Sequence, residues 1–259
     1  MSLHVPLPAA VARTTGVESL KAGGRTALEA LGLGQAYFRR WWQRNGSAKS
    51  LLTDWNRAHG AVFVHVPKTA GMSIERMLQM QRPSDYHAPA CAYRAADPDF
   101  WARSLTFTVI RDPWDRLVSA YHYGRWSSPF AHDHLWAAQH LEGFETFEAF
   151  VLALQRPAFR ARAFQRLIFM PQSYFVCDLA GRREVKELAP FDSLDAAISS
   201  IAGRLGLPPR QSRVNSSDHE PSAGYYTPQT RAVVARVYKR DVALYEEALR
   251  HGVGAGVCP

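Results

Sequence analysis

Cysteine is scarce and falls into no motif. Cys91, Cys177 and Cys258 are the only three, widely spaced and without a CxxC pair, which excludes a zinc ribbon and a redox dithiol and fits a reducing compartment. No apolar run approaches the roughly 20 residues that a membrane-spanning helix needs. Nor does a basic patch, apolar core and small-residue cleavage site open the chain, so a cytoplasmic location is expected. Internal repeats and low-complexity tracts are absent. Acidic residues are outnumbered, 23 against 31 Lys and Arg, for a net charge of +8 and a pI near 9.6. That balance calls for an anionic partner (nucleic acid, a membrane surface, or a phosphate- or sulfate-bearing ligand) without choosing among them.

What is present is a chain of 259 residues with 47% hydrophobic and 21% charged side chains. Such a chain is long enough for one domain with a sizeable core, with room for appendages. Residues 1–58 read as an N-terminal appendage and 59–259 as the main domain. In the appendage, Thr26 to Arg44 is predicted helical, ending before Asn45-Gly46-Ser47. Its mixture Tyr37-Phe38-Arg39-Arg40-Trp41-Trp42-Gln43-Arg44 suits either of two roles. The tryptophans pack on the main domain while the arginines face water, or residues 25–44 make peripheral contact with a membrane.

Ala61 to Val66 is a short apolar, β-branched run between Gly60 and Pro67 and predicts a buried strand. A helical pattern follows from Met72 to about Gln81. Leu105 to Ile110 is a second strand, ended by Arg111-Asp112-Pro113, and Trp114 to Tyr123 predicts a helix. Beyond it, helices are expected over Phe144–Leu154, from Ser193 to Leu205, and as one long helix from Thr227-Pro228 to about Arg250. Tyr174 to Cys177 predicts a strand, and Arg125 to Phe144 a long loop forming an acceptor-binding insertion, with Trp126, Phe130 and Trp136 for sugar stacking or core packing. Strands alternating with helices indicate an α/β fold with a parallel sheet, in which ligands sit at the carboxyl ends of the strands.

Both strand ends carry a cation beside small or hydroxyl residues. In Pro67-Lys68-Thr69-Ala70-Gly71-Met72-Ser73 a strand enters a tight turn and a helix begins. The amides from Gly71 to Ser73 carry the positive end of the helix, Lys68 adds a charge, and Thr69 and Ser73 add hydroxyls. The segment is not GxxxxGK[ST], because its lysine precedes the glycine. A purely structural turn accounts for it equally well when taken alone. At the second strand end, Arg111 and Ser119, eight residues on, offer a guanidinium fork and a hydroxyl to a phosphate. The competing role for Arg111 is a salt bridge to Asp112 or Asp115.

Together these segments resemble the sulfotransferases, closest to the carbohydrate sulfotransferase-like branch of bacterial type. Phe63 to Ser73 is similar to the family's 5′-phosphosulfate-binding segment and Phe107 to Tyr121 to its 3′-phosphate-binding segment. The likeness extends to Pro171-Gln172-Ser173-Tyr174-Phe175 and to Asn215-Ser216-Ser217 through Pro228. The resemblance implies a P-loop-like three-layer sandwich with a central parallel sheet, helical insertions and a helical N-terminal arm. It implies 3′-phosphoadenosine 5′-phosphosulfate (PAPS) as sulfate donor, held by Lys68, Thr69, Ala70, Gly71, Met72 and Ser73 at one end and Arg111 and Ser119 at the other. Met72 stands where the family often has threonine. Asn215 and Ser217 are expected to close over the nucleotide.

The implied reaction is in-line transfer of a sulfuryl group to a hydroxyl of a carbohydrate or glycoconjugate, with small-molecule and lipid hydroxyls as alternatives. Lys68 is the candidate for the charge developing on the leaving oxygen. Among ten histidines, His87 is the candidate base and His122 the next, while His65 reads as structural. His132-Asp133-His134 with His140 is weak as a metal site, and no metal is expected. Two rivals remain. A magnesium-dependent kinase would want a carboxylate at the second strand end. A non-catalytic binder of nucleic acid or anionic glycan would want a denser basic run than this chain has.

Overall fold

The computed structural model describes residues 27–45, 51–80, 87–127, 131–141, 143–208 and 222–251. Among these residues three short parallel strands form the sheet: β1 (Ala61–Phe63), β2 (Leu105–Ile110) and β3 (Glu187–Pro190), in the order β1-β2-β3. Phe63 sits opposite Phe107 in the first pair and Thr108 opposite Leu188 in the second. Beyond the end of β1, the amide of Val64 still donates to the Phe107 carbonyl at 2.9 Å.

The helices among the described residues are α1 (Gly34–Asn45), α2 (Asp54–His59), α3 (Gly71–Met77), α4 (Ala90–Ala96), α5 (Pro98–Arg103), α6 (Pro113–His122), α7 (Ala131–His140), α8 (Phe147–Ala153), α9 (Pro157–Ala163), α10 (Ser173–Val176), α11 (Leu194–Arg204), α12 (Pro228–Val237) and α13 (Lys239–His251). A π-helical turn, Tyr123–Ser127, continues α6.

Both faces of the sheet are covered, which is why its strands read as continuous apolar runs. On one face Val62, Val64, Ile110 and Leu188 pack with Phe38 and Trp42 of α1, Tyr93 of α4, Phe100 of α5, Phe175 of α10 and Leu244 of α13. On the other, Phe63, Phe107, Val109 and Ala189 pack with Trp55 of α2, Ile74 and Met77 of α3 and Ile198 and Ile201 of α11. The layering is helix, sheet, helix. A third cluster joins Leu117, Val118 and Tyr121 of α6 to Phe150 of α8, Phe169, and Val233 and Val234 of α12. Burying each such aliphatic or aromatic side chain contributes about 1.5–3 kcal/mol.

Local chemistry explains several boundaries. The Asp112 carboxylate accepts from the amides of Trp114 (2.8 Å) and Asp115 (3.0 Å), and Pro113 occupies the first position of α6. Thr227 caps α12, with Pro228 behind it. Gly60, at φ 57°, closes α2 and turns the chain into β1.

Other expectations are corrected. Tyr174 to Cys177 is no strand, because residues 173–176 form α10. The carboxylate of Asp241 accepts from the amides of Gln172 (2.7 Å) and Ser173 (2.9 Å) and so caps this short helix from far along the chain. The third strand is β3, whose apolar core is only Leu188-Ala189. The long C-terminal helix divides at Tyr238 (φ −109°, ψ 31°), whose buried hydroxyl donates to the Phe169 carbonyl at 2.8 Å. The described residues between 125 and 144 are largely helical, in the π-helical turn and α7, and Trp136 packs on the third cluster, while Phe130 lies outside the described residues. The N-terminal helix breaks at Gly32, φ 74°, before α1 begins. Of its two tryptophans, Trp42 enters the core while Trp41 points outward. Arg39 does not face water: it is buried, donates to the Cys177 carbonyl at 2.7 Å and pairs with Glu184.

Candidate functional site

Because β1 and β2 are parallel neighbours, their carboxyl ends open on the same edge of the sheet. The turn after β1 is tight and strained: Lys68 (φ 68°) and Ala70 (φ 61°) both adopt the left-handed region, at roughly 1–2 kcal/mol each for a residue with a Cβ. Bonds within the turn and from other parts of the chain hold it in place. Thr69, fully buried, donates its hydroxyl to the Val66 carbonyl at 2.9 Å. Nε of Arg116 donates to the Pro67 carbonyl at 2.9 Å, and Nη1 of Arg111 to the Lys68 carbonyl at 3.2 Å.

Gly71 opens α3 directly over the His65 imidazole. A Cβ there would lie 1.9 Å from Nε2 of His65, so glycine is required by the ring beneath it. His65 Nδ1 in turn pairs with Oε1 of the buried Glu75 at 2.9 Å. The amide of Ser73 donates to the Ala70 carbonyl at 2.9 Å. The amide cradle expected from Gly71 to Ser73 therefore narrows to its first two members.

The Lys68 ammonium lies 3.9 Å from the centre of the Tyr123 ring. Burial, followed by the charges of Arg111 and Arg116, lowers its pKa to about 8. It is still mostly charged at neutral pH, in a field that an incoming anion would relieve.

Arg111 is held on all sides. Nε donates to Asp115 at 2.5 Å, and the guanidinium lies 4.5 Å from the centre of the Phe191 ring. Its backbone is clasped by the Gln172 carboxamide, which accepts from the Arg111 amide (3.1 Å) and donates to its carbonyl (2.8 Å). Asp115 is thus the partner of Arg111, whereas Asp112 is occupied in capping α6. Ser119 is buried on α6, one helical turn beyond Asp115. Arg116, buried, also donates to the Met170 carbonyl at 3.0 Å.

His87 joins the same neighbourhood from the chain before α4. Its Nδ1 lies 3.0 Å from the His65 carbonyl and the two rings are 4.5 Å apart. A carbonyl can only accept, so Nδ1 carries the hydrogen and Nε2 is the basic nitrogen. Burial, then the neighbouring His65, lowers the His87 pKa to about 3. His122 sits instead against Tyr121 and Tyr225 in the helical cluster. Asn215 and Ser217 lie outside the described residues. Among the described residues no group of three or more His, Cys, Asp or Glu side chains stands close enough to hold a metal.

The structure therefore brings together Lys68, Thr69, Gly71, Arg111 and His87. It adds three residues to which the sequence reading assigned no role: Gln172 and Arg116, which lie inside the quoted segments, and Phe191, which carries no local signal. The class this defines is a three-layer parallel α/β protein with two cationic side chains, Lys68 and Arg111, at the switch from strand to helix.

The profile of the sulfotransferase family matches residues 53–247, well over half of the chain and inclusive of both loops. The chain belongs to the sulfotransferase family, and the activity of that family is sulfuryl transfer. No curated protein and no solved structure matches the chain significantly.

Proposed function

We propose that the protein moves a sulfuryl group from PAPS to a hydroxyl of a carbohydrate or glycoconjugate. The observation that supports this reading is the contact between Arg111 Nη1 and the Lys68 carbonyl at 3.2 Å, which joins the two loop mouths. When bound, PAPS supplies an activated sulfate whose leaving oxygen gathers negative charge. Lys68 holds positive charge where that oxygen would lie, and the backbone of Thr69, Ala70, Gly71 and Met72, with Ser73, surrounds the 5′ end. Arg111 and Ser119 receive the 3′-phosphate, Arg111 exchanging part of its bond to Asp115 for the ligand. Asn215 and Ser217 complete the cover.

His87 takes the acceptor proton at Nε2. Its proton affinity is low in the ligand-free protein and rises once a polyanion enters beside it. In this reading residues 59–259 carry the chemistry, and residues 1–58 form an appendage whose α1 seals one face of the sheet. No metal takes part, and the protein works in the cytoplasm.

Adenosine 3′,5′-bisphosphate is expected to raise the melting temperature where ATP with magnesium does not. Labelled donor offered with a panel of glycans, lipids and small alcohols is expected to mark a glycan, as read by product mass. Protection by ATP with magnesium alone would overturn the donor assignment, and exclusive labelling of a small alcohol would overturn the acceptor class.

A further inference from the structure

Large apolar side chains that stand out into solvent are few among the described residues, and four of them gather in one region. Leu31 is 73% exposed, Leu33 49%, Trp41 46% and Leu179 53%. Leu31 and Leu33 lead into α1, Trp41 lies on it, and Leu179 lines the open groove between α1 and the turn at 178–182, together with Arg40, Gln43, Arg44 and Arg182.

Helix α1 has two unlike faces. Gln35, Phe38, Arg39 and Trp42 are buried against the protein, at the spacing of a single stripe. Leu33, Tyr37, Arg40, Trp41 and Arg44 occupy the opposite stripe. The helix, GQAYFRRWWQRN, contains no acidic residue. Of the carboxylates near it, Asp178 is paired with Arg182 at 2.7 Å and Glu184 with Arg39 and Arg94, while Glu29 accepts from the Tyr174 hydroxyl at 3.2 Å and keeps its charge against those of Arg40 and Arg44. The outward charge of this face is therefore positive.

We propose that α1 and the adjoining turn dock on the surface of an anionic lipid bilayer. Leu31, Leu33 and Trp41 enter the boundary between headgroups and acyl chains, while Arg40 and Arg44 meet lipid phosphates. Cationic charge alone would serve a polyanionic glycan or a nucleic acid equally. Protruding leucines and a tryptophan interleaved with the arginines are what a bilayer uses and a soluble polyanion does not. Docking of this kind does not depend on what the loops after β1 and β2 bind. It would bring a membrane-borne acceptor within reach of the enzyme.

The test is flotation of the full chain with vesicles of phosphatidylcholine alone and of an equal mixture with phosphatidylglycerol. Partition is expected to be roughly tenfold or more stronger on the mixed vesicles. The double variant Arg40→Gln/Arg44→Gln is expected to lose most of that gain, and Trp41→Ala or Leu31→Ser to weaken binding several-fold even in high salt. Leu249→Ser, at an exposed leucine elsewhere on the surface, is expected to change nothing. Unaltered melting temperatures separate lost docking from lost folding, and Leu31→Ser stands in if Trp41→Ala is unstable. Absence of partition onto the mixed vesicles, or partition that survives all of these substitutions, overturns the proposal. So does binding to heparin with no binding to vesicles, which would make this face a glycan surface.

Discussion

The loops after β1 and β2 each deliver one cation to the same edge of the sheet, yet they are built in opposite ways. The first is strained and depends on remote groups, with Lys68 and Ala70 left-handed and its carbonyls tied by Arg111 and Arg116. Its lysine rests on a tyrosine ring and has a pKa lowered to about 8. The second turns without strain through Asp112 and Pro113, and its arginine is fixed by Asp115, Phe191 and the Gln172 clasp. A cation in a costly electrostatic position gains most when negative charge appears beside it. A cation already held by a carboxylate offers steady, geometrically selective binding. The contrast favours the proposed division of labour, with Lys68 in the chemical step and Arg111 in donor recognition.

The sharpest way to break that contrast is Lys68→Met, which removes the charge and keeps the shape. Turnover is expected to fall roughly 10²–10³-fold, with affinity for adenosine 3′,5′-bisphosphate, measured by calorimetry, reduced much less. A comparable loss in both would erase the distinction. Arg111→Ala is expected to raise the KM for the donor roughly tenfold to a hundredfold with a smaller change in kcat. Arg111→Lys should rescue little, because the fork is lost with the guanidinium.

Gly71→Ala tests the strained loop directly. With a Cβ 1.9 Å from the His65 ring, thermal unfolding should shift down by roughly 3–10 °C. Adding His65→Ala should recover part of that shift, and failure to do so would mean that the ring is not what requires the glycine.

The smallest effect expected is a gain. The unfolded chain holds the Lys68 proton up to its ordinary pKa of 10.5, whereas the folded chain gives it up near 8. Stability from this group is therefore lowest below pH 8 and rises with pH between those values. Lys68→Met should raise the melting temperature by a few degrees at pH 7, on the order of 1–3 kcal/mol, and the difference should shrink toward pH 10. An unchanged melting temperature would show that the ammonium is better solvated than its surroundings indicate.

The parts of the fold that were readable in advance share a property: the residues causing them are near one another in the chain. β1 and β2 announce themselves as short apolar runs bounded by Gly60, Pro67 and Pro113, and α6 and α12 begin at local caps, Asp112 and Thr227. Lys68 and Arg111 stand at strand ends, where a parallel sheet puts its ligands. What escaped notice is caused at a distance. α10 reads as a strand until the Asp241 carboxylate, 68 and 69 residues away, captures its first amides. β3 is too short and too polar to stand out until β2 pairs with it. The division between α12 and α13 falls at Tyr238, whose hydroxyl reaches Phe169.

From the chain alone came the parallel α/β class, the two cationic loops and their kinship with the sulfotransferases, since strand periodicity, helix caps and motif spacing are all local. Only the tertiary structure decided that these loops touch, that Lys68 is crowded by two arginines while Arg111 is paired, and that one tryptophan of α1 is inside and the other out. Those are consequences of distance and burial, which depend on contacts between residues far apart in sequence.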